Sequence, residues 1–492
     1  MFRSVVEAVF HYAENQPNKL CLADETRNVT YSQYKNEILK RATVLAKLSL
    51  SAGDRVVVEA SQSIDYLATE LAIQLIGAIF VPVERNCAWE KTLGVVRSSE
   101  AKIVIAPKER VVEEDFLFIT FSELNTKTDA VECWDDYILP QSENISEILF
   151  STGTTGKEKG IVLCHRNNIA LAENVIFGVE MQEDNVEIIP SPLNHSHGLR
   201  RYYANMVKGA TVVLVTSVMN VMGFFGMIDT YSVNSADLVP TALTVLLRLS
   251  KDKLADYKDT MRYIQFGSAP LSDSDKEKVC ALLPNTHLYN FYGSTESGCI
   301  SIYDFNSIDK ANCIGKPTYN AVITIVDDDR KKIVSSEDNT GLLVSSGAMN
   351  MLCYWKDEEE TNKVMKNGCI YSNDEAYFDE DGDIILLGRK GDVINVSGNK
   401  VSPDEIEEVA SRHPIVEDCG CIGIKDPLRG NAPKLYVQIK EGYEYDGTSI
   451  RNWLSEHLEP YKVPVSIEEI DKIPRSFNGK LLRRTLRNKH EE

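Results

Sequence analysis

Four short segments carry side chains whose types and spacing suit phosphate chemistry. The first is Ser-Thr-Gly-Thr-Thr-Gly-Lys-Glu-Lys-Gly at 151–160, directly after an apolar run. Glycines let a backbone approach an anion, hydroxyls and N–H groups cradle phosphate oxygens, and two lysines add positive charge. Its glycines stand too close together for the P-loop pattern, which disfavours a P-loop ATPase or a kinase. The second is Asn-Phe-Tyr-Gly-Ser-Thr-Glu-Ser-Gly at 290–298. There Tyr292 could stack on a base, Thr295 could bond a phosphate oxygen, and Glu296 is a hard oxygen ligand suited to Mg2+. Taken alone, such a turn is as often structural. The third segment sets Asp374, in Tyr-Ser-Asn-Asp-Glu-Ala (371–376), near Arg389, in Gly-Arg-Lys-Gly-Asp (388–392). An acceptor and a donor suit ribose hydroxyls, whereas Asp374 alone reads as a solvated turn carboxylate. The fourth, Pro-Arg-Ser-Phe-Asn-Gly-Lys-Leu-Leu-Arg-Arg (474–484), presents Lys480 on a turn that opens a helix, or is a basic tail.

The elements around these segments read as an α/β chain. The spacing predicts a helix over 31–48 capped by Thr30, a strand over 55–60, a helix from Ser63 to about Ile79 and a strand over 102–106. This alternation argues a largely parallel sheet with helices on its faces. Strand runs at 147–150, 262–266 and 288–291 each end in loop residues, and in open α/β folds ligands sit beyond the carboxyl ends of strands. Beyond about residue 310 short strands dominate, at 321–326, 341–345 and 383–387. After Gly388 a separate small α+β unit is expected. It opens a helix with Ser402 as N-cap and Pro403 at the first helical position, followed by strands near 419–424 and 434–440 and a helix near 448–458.

Composition sets the outer bounds. The chain has 492 residues, with 43% apolar and 26% charged, an ordinary globular balance that excludes a collagen-like or wholly disordered chain. Acids outnumber Lys and Arg by 73 to 53, a net charge of −20 that argues against a nucleic-acid partner. The positive charge is local: residues 471–492 hold seven Lys or Arg against three acids. Eleven cysteines without a CxxC pair read as thiols of a reducing compartment. The uncharged stretch 209–228 is interrupted by Thr, Ser, Asn and Gly and is expected to form a strand and a short helix, not a membrane span. The amphipathic N-terminus lacks a signal-peptide pattern, and a cytoplasmic setting is expected.

In this order and spacing, the four segments closely resemble the adenylate-forming (AMP-binding) enzymes: acyl-CoA synthetases, adenylation domains of peptide synthetases, and luciferases. The resemblance spans the whole chain. It implies a large N-terminal domain (1–387) of stacked α/β sheet lobes with a small β-barrel-like lobe, a hinge at 388–392, and a mobile α+β C-terminal domain (393–492). It also implies the reaction. ATP activates a small carboxylic acid to an acyl-adenylate with release of pyrophosphate, and the acyl group passes to the thiol of CoA with release of AMP. The alternative acceptor is the phosphopantetheine of a carrier protein, expected in trans because the chain ends within a dozen residues of Lys480. A nucleotide-binding protein without catalysis is the remote alternative.

Carried over motif by motif, the resemblance makes Lys480, Glu296, Thr295 and His195 the catalytic set, with Glu296 holding Mg2+. It assigns Ser151, Thr152, Gly153, Thr154, Thr155, Gly156 and Lys159 to a pyrophosphate loop. Gly267, Ser268 and Ala269 form a wall between adenine and acyl group. Asn290, Tyr292, Gly293 and Ser294 belong to the adenine and phosphate turn, and Asp374 and Arg389 to the ribose pair. Gly391 stands at the hinge, where the family commonly has Asp or Lys, and Gly398 is expected at the thiol-acceptor channel. His195 matches a histidine that gates the acyl pocket, with His197 a weaker candidate. Arg200 and Arg201 either read a second carboxylate, a phenolate or another anionic tail, or snorkel to a helix surface.

Overall fold

The structure is a computed structural model. It describes residues 2–110, 115–152, 158–268, 271–307, 310, 312–396, 399–427, 429–475, 479 and 481–491. Three sheets organise it. The first has seven strands, in the spatial order Cys353–Tyr354, Glu158–Cys164, Ile145–Thr152, Ile79–Val83, Arg55–Glu59, Ile103–Ala106 and Leu117–Thr120. From Ile145–Thr152 to Leu117–Thr120 neighbours run parallel, and Glu158–Cys164 returns antiparallel to close a hairpin around the glycine-rich segment. Strands such as Arg55–Glu59 and Ile79–Val83 are buried almost throughout, as expected for parallel strands covered on both faces.

The second sheet has fourteen strands. Leu20–Ala23, Thr211–Leu214, Val186–Ile189, Ser235–Leu238, Tyr263–Phe266 and His287–Ser294 are parallel neighbours. Beyond His287–Ser294 the pairing turns antiparallel, through Gly298–Asp304, Cys313–Pro317, Ile384–Arg389, Cys369–Phe378 and Gly341–Ser346 to Val322–Val326. The change of texture near residue 310 is this switch. A third sheet of five strands is built wholly from 394–469, with Gly430–Ile439 beside Val416–Asp426 as its longest pair. The helices Pro403–Ser411 and Gly447–His457 pack their buried Ile406, Ala410, Ile450 and Leu454 in its core.

The main core contains the helices Val5–Asn15, Tyr31–Lys47, Ile64–Leu75, His165–Gly178 and Ser196–Lys208 together with strands of both large sheets. Tyr31, Tyr34, Tyr66, Tyr202 and Tyr203 are essentially inaccessible there. Burying each ring contributes on the order of 2–3 kcal/mol, and an unpaired hydroxyl would cancel most of that at about 1–3 kcal/mol. The hydroxyls are accordingly paired: Tyr31 donates to the Ala210 carbonyl at 2.6 Å, Tyr66 to the Leu193 carbonyl at 3.0 Å, and Tyr34 and Tyr202 bond each other at 2.7 Å.

Several local expectations need adjustment. The helix opened by Ser63 ends at Leu75; Gly77 turns the chain at φ +76°, and Ile79 begins a strand. Thr30 caps its helix as expected, with Gln33 completing a reciprocal capping box. Ser402 holds the N-cap position, but its hydroxyl makes no capping bond and is buried without a partner. The stretch 209–228 forms Thr211–Leu214 and the start of Val221–Tyr231, and no helix among the described residues is long and apolar enough to cross a membrane.

Candidate active site

The second segment lies on the strand His287–Ser294 and its return strand Gly298–Asp304. A bulge between Tyr292 and Gly293 breaks the register just before the turn. A Cβ on Gly293 would lie 1.8 Å from the Gly298 carbonyl oxygen, so the two strands can close there only over glycine. The Ser294 and Ser297 hydroxyls bond at 3.0 Å, and each accepts from the other's backbone N–H. This clamp fixes Thr295 and Glu296 at the tip, both half-buried.

Glu296 is tied to the first segment. Its Oε1 accepts from the Tyr354 hydroxyl at 2.8 Å, and its carbonyl accepts from Met351 N–H at 2.8 Å. The Lys159 ammonium stands 5.1 Å from the centroid of the same Tyr354 ring and is ion-paired with Glu360. Bonding to Lys159 and Lys363 holds the Glu360 carboxyl down at about 2, while burial and the Glu296 charge push the Tyr354 hydroxyl up. Ser151 pairs with Lys159 across the hairpin. Gly160 packs so tightly on Ile148 and Trp355 that a Cβ would sit 2.9 Å from Ile148 Cγ2. Gly153, Thr154, Thr155 and Gly156 lie outside the described residues, as does the Thr152 side chain.

Tyr292, Asp374 and Arg389 meet. The Tyr292 hydroxyl donates to Asp374 Oδ2, and Arg389 Nε lies 3.7 Å from Asp374 Oδ1. Asp374 and Arg389 are register partners of the antiparallel pair Cys369–Phe378 and Ile384–Arg389, which is why residues fifteen apart face one another. Burial, reinforced by the Asp374 charge, raises the Tyr292 hydroxyl well above its ordinary range. Asn290 stands on the same strand, in register with Phe266 at the end of Tyr263–Phe266. Gly267 and Ser268 follow that end, with Ser268 in the left-handed region at φ +72°; Ala269 lies outside the described residues.

The helix Ser196–Lys208 brings in the remaining candidates. His195 is its N-cap residue, with Nε2 3.1 Å from Asn194 Nδ2. Burial lowers the His195 pKa, which favours the uncharged ring. His197 lies against the chain at Gly267, where a Cβ would come 2.6 Å from His197 Cε1, and its Nε2 is 2.9 Å from Asp237 Oδ1. Asp237 is buried and also accepts from Gln265 at 2.8 Å. The two arginines part company. Arg201 is 1% exposed and grips Glu187 with Nε and Nη2, each at 2.7 Å, so it belongs to a core ion pair, not to a cleft. Arg200 donates to Ser196 Oγ at 2.6 Å and to the Ser294 carbonyl at 2.8 Å, directly beneath the clamped turn.

The small domain brings in the last candidates. Lys480 lies outside the described residues, but Gly479 rests on the helix Pro240–Ser250, where a Cβ would come 3.0 Å from Thr241 Cγ2. Thr241 also lines a cavity of about 200 Å³ shared with Ser191, Thr216, Val239 and Ala242. Arg475 steadies this end by donating to the Gly479 carbonyl at 2.9 Å and gripping Asp418. Gly391 has φ +92°, and its carbonyl accepts from Arg487 at 2.9 Å. Gly398 lies outside the described residues; Lys400, two residues on, reaches Glu375 at 2.6 Å and Thr340 at 2.8 Å. One other cluster of metal-capable groups stands out among the described residues, Asp379, Asp381 and Asp383, and the Lys310 ammonium sits among its carboxylates at 2.5–2.8 Å.

Two partners of the glycine-rich hairpin and the acid-bearing turn escape sequence reasoning, as do Glu187 and Asp237 beside the helix Ser196–Lys208. Tyr354 and Glu360 sit in segments with no motif around them, and only the pairing of Cys353–Tyr354 with Glu158–Cys164 brings them to the glycine-rich hairpin.

A chain with this α/β body, glycine-rich hairpin and acid-bearing turn has the build of a nucleotide-dependent enzyme. It belongs to the AMP-binding enzyme family: the family model matches residues 9–355, and the model of the AMP-binding enzyme C-terminal domain matches 405–480. Among curated relatives, the 2-succinylbenzoate–CoA ligase of Geobacillus sp. (strain WCH70) is 27% identical, over 96% of this chain and 94% of its own. The 4-coumarate–CoA ligase-like 1 of Arabidopsis thaliana is 27% identical, over 99% and 93%. Among solved structures, ATP-bound MatB from Rhodopseudomonas palustris superposes with a TM-score of 0.89 at 21% identity, over 100% and 99% of the two chains. The anthranilate CoA ligase AuaEII with anthranoyl-AMP gives 0.87 at 21%, over 99% and 97%.

Proposed function

We propose that this protein is an AMP-forming acid–CoA ligase, which activates a small carboxylic acid with ATP and passes the acyl group to CoA. The observation that carries the reading is the convergence at one strand end of Tyr292, Asp374 and Arg389 on one side of the 294–297 turn and Glu296, Tyr354 and Lys159 on the other. Tyr292 stacks the adenine, and Asp374 with Arg389 takes the ribose hydroxyls. Thr295 contacts the α-phosphate. Lys159 and the hydroxyls of the glycine-rich segment hold the departing pyrophosphate.

The chemistry follows from leaving groups. A carboxylate oxygen leaves badly as oxide; joined to AMP it leaves as a far less basic phosphate. Carboxylate attack on the α-phosphate builds charge on phosphoryl oxygens, so catalysis is mostly positioning and electrostatic stabilisation. Glu296 fits Mg2+: it is a hard oxygen donor with Tyr354 on Oε1, which leaves Oε2 for an ion. When bound, Mg2+ supplies neutralisation of the phosphate charge. Lys480 bridges the acid and the α-phosphate, a role supported by Gly479 resting on Thr241. His195 lines the acyl entrance. Rotation at Gly391 then exchanges the Lys480 segment for the Gly398 turn, and the thiol attacks the acyl carbon with AMP leaving.

An ATP–pyrophosphate exchange screen over carboxylic acids, followed by addition of CoA, tests this. Acid-dependent exchange and then AMP and acyl-CoA in equal amounts are expected. Exchange with a carrier-protein pantetheine as the sole acceptor transfers the second step to a carrier, and no exchange with any acid defeats the reading.

A further inference from the structure

Arg200 is a guanidinium without an acid. Its two bonded partners, the Ser196 hydroxyl and the Ser294 carbonyl, are neutral, and among the described residues no carboxylate forms an ion pair with it. Its neighbour Arg201, on the same helix, shows the usual solution, two bonds to Glu187. Arg200 is half-buried, and burial pulls its pKa down against the opposing influence of Cys299, Glu296 and Glu147. A half-buried cation with no bonded counter-charge keeps donors free for an anion brought by a ligand. The missing counter-charge is conspicuous in a chain with twenty more acids than bases. Two bonds leave three of the five guanidinium N–H donors, and that planar fork matches a carboxylate.

Position narrows the ligand. Arg200 touches the carbonyl that precedes Thr295 and Glu296, and it stands three residues, nearly one helical turn, beyond His197, which is pressed on Gly267. Under the ligase reading, on which this inference rests, the acyl part of the adenylate lies between these groups. We propose that Arg200 reads a second anionic group on the acid, so that the substrate class is carboxylic acids bearing another carboxylate or an equivalent anion.

The test is exchange kinetics on matched acids, each pair equal in length and differing by one carboxylate, with wild type, Arg200→Leu and Arg200→Lys. Wild type is expected to prefer the dianionic member of each pair. Arg200→Leu is expected to lower kcat/KM for dianionic acids on the order of 100-fold, mainly through KM. The monocarboxylic acids and the KM for ATP stay unchanged, and Arg200→Lys falls between because it keeps the charge and loses the fork. If Arg200→Leu fails to fold, as judged by thermal unfolding, Arg200→Lys and Arg200→Gln are read in its place. An equal loss for every acid makes Arg200 a brace for the Ser294 turn and overturns the proposal. So does a rise in KM for ATP with acid preference intact, which makes it a phosphate contact. Exchange confined to monocarboxylic acids in the wild type overturns this inference alone, whereas exchange with no acid overturns the ligase reading with it.

Discussion

A single hydroxyl hydrogen cannot serve two carboxylates, yet Tyr203 lies 2.6 Å from Glu70 Oε1 and 2.5 Å from Glu147 Oε2, all three buried. One carboxyl must therefore keep its proton to bond the tyrosine oxygen. Burial pushes Glu147 up to about 7, against the opposing pull of Tyr203, Asn168 and Arg200, and pushes Glu70 well up as well. A carboxyl whose folded pKa is raised holds a proton that the unfolded chain releases. Its contribution is present below the ordinary carboxyl range and is lost as pH rises through about 7. Denaturant midpoints are expected to fall between pH 5.5 and 8, and Glu147→Gln is expected to flatten that slope; an unchanged slope would show that the pair does not titrate. At the tip of the turn, Glu296→Gln keeps the Tyr354 bond but loses the charge. Exchange activity is expected to drop on the order of 100-fold and to need more Mg2+, as a metal titration would show.

Among the elements, the hairpin His287–Asp304 tolerates little change at Gly293. Gly293→Ala places a methyl 1.8 Å from the Gly298 carbonyl, which no side-chain shift relieves because both groups are backbone. Urea unfolding is expected to show a loss of about 2–4 kcal/mol or more, with exchange activity abolished because Thr295 and Glu296 move. The glycines, the hydroxyls and Glu296 were legible in the sequence because they crowd onto single strand ends, where short spacing and place in the fold coincide. The coupling of Asp374 with Arg389 was legible through chemistry alone, whereas the antiparallel register that sets them opposite one another was not, since nothing local states the pairing. Tyr354, Glu360, Glu187 and Asp237 were not legible. Each is an ordinary tyrosine or acid whose partner lies 14 to 201 residues away, and only strand order joins them. Arg201 misled for the same reason: a helical Arg-Arg pair does not reveal which member a buried carboxylate claims. Ser402 misled differently, since residue type marked the cap position correctly while its hydroxyl stays unbonded.

At the level of the whole molecule, the small domain is held in the present arrangement by long, partly exposed side chains: Lys400 to Glu375, Arg248 to Glu417 and Lys276 to Glu408. Such pairs contribute about 0–1 kcal/mol each and weaken with salt, as the proposed turn of the small domain requires. Lys400→Ala is accordingly expected to change the ratio of exchange rate to acyl-CoA formation by no more than about fivefold, less at high ionic strength. Lys480→Ala separates the half-reactions more sharply: adenylation is expected to be lost while thioester formation from supplied acyl-adenylate persists, and unchanged exchange would remove that lysine from the mechanism.

The ion pair between Lys159 and Glu360 also bears on how turnover ends. If the lysine meets the pyrophosphate, Glu360 competes with that product for the same ammonium and reclaims it on departure, an internal rival that hastens clearance of the site. Glu360→Gln removes the rival, so the variant is expected to bind ATP more tightly yet to be inhibited at lower pyrophosphate concentrations, trading throughput for grip.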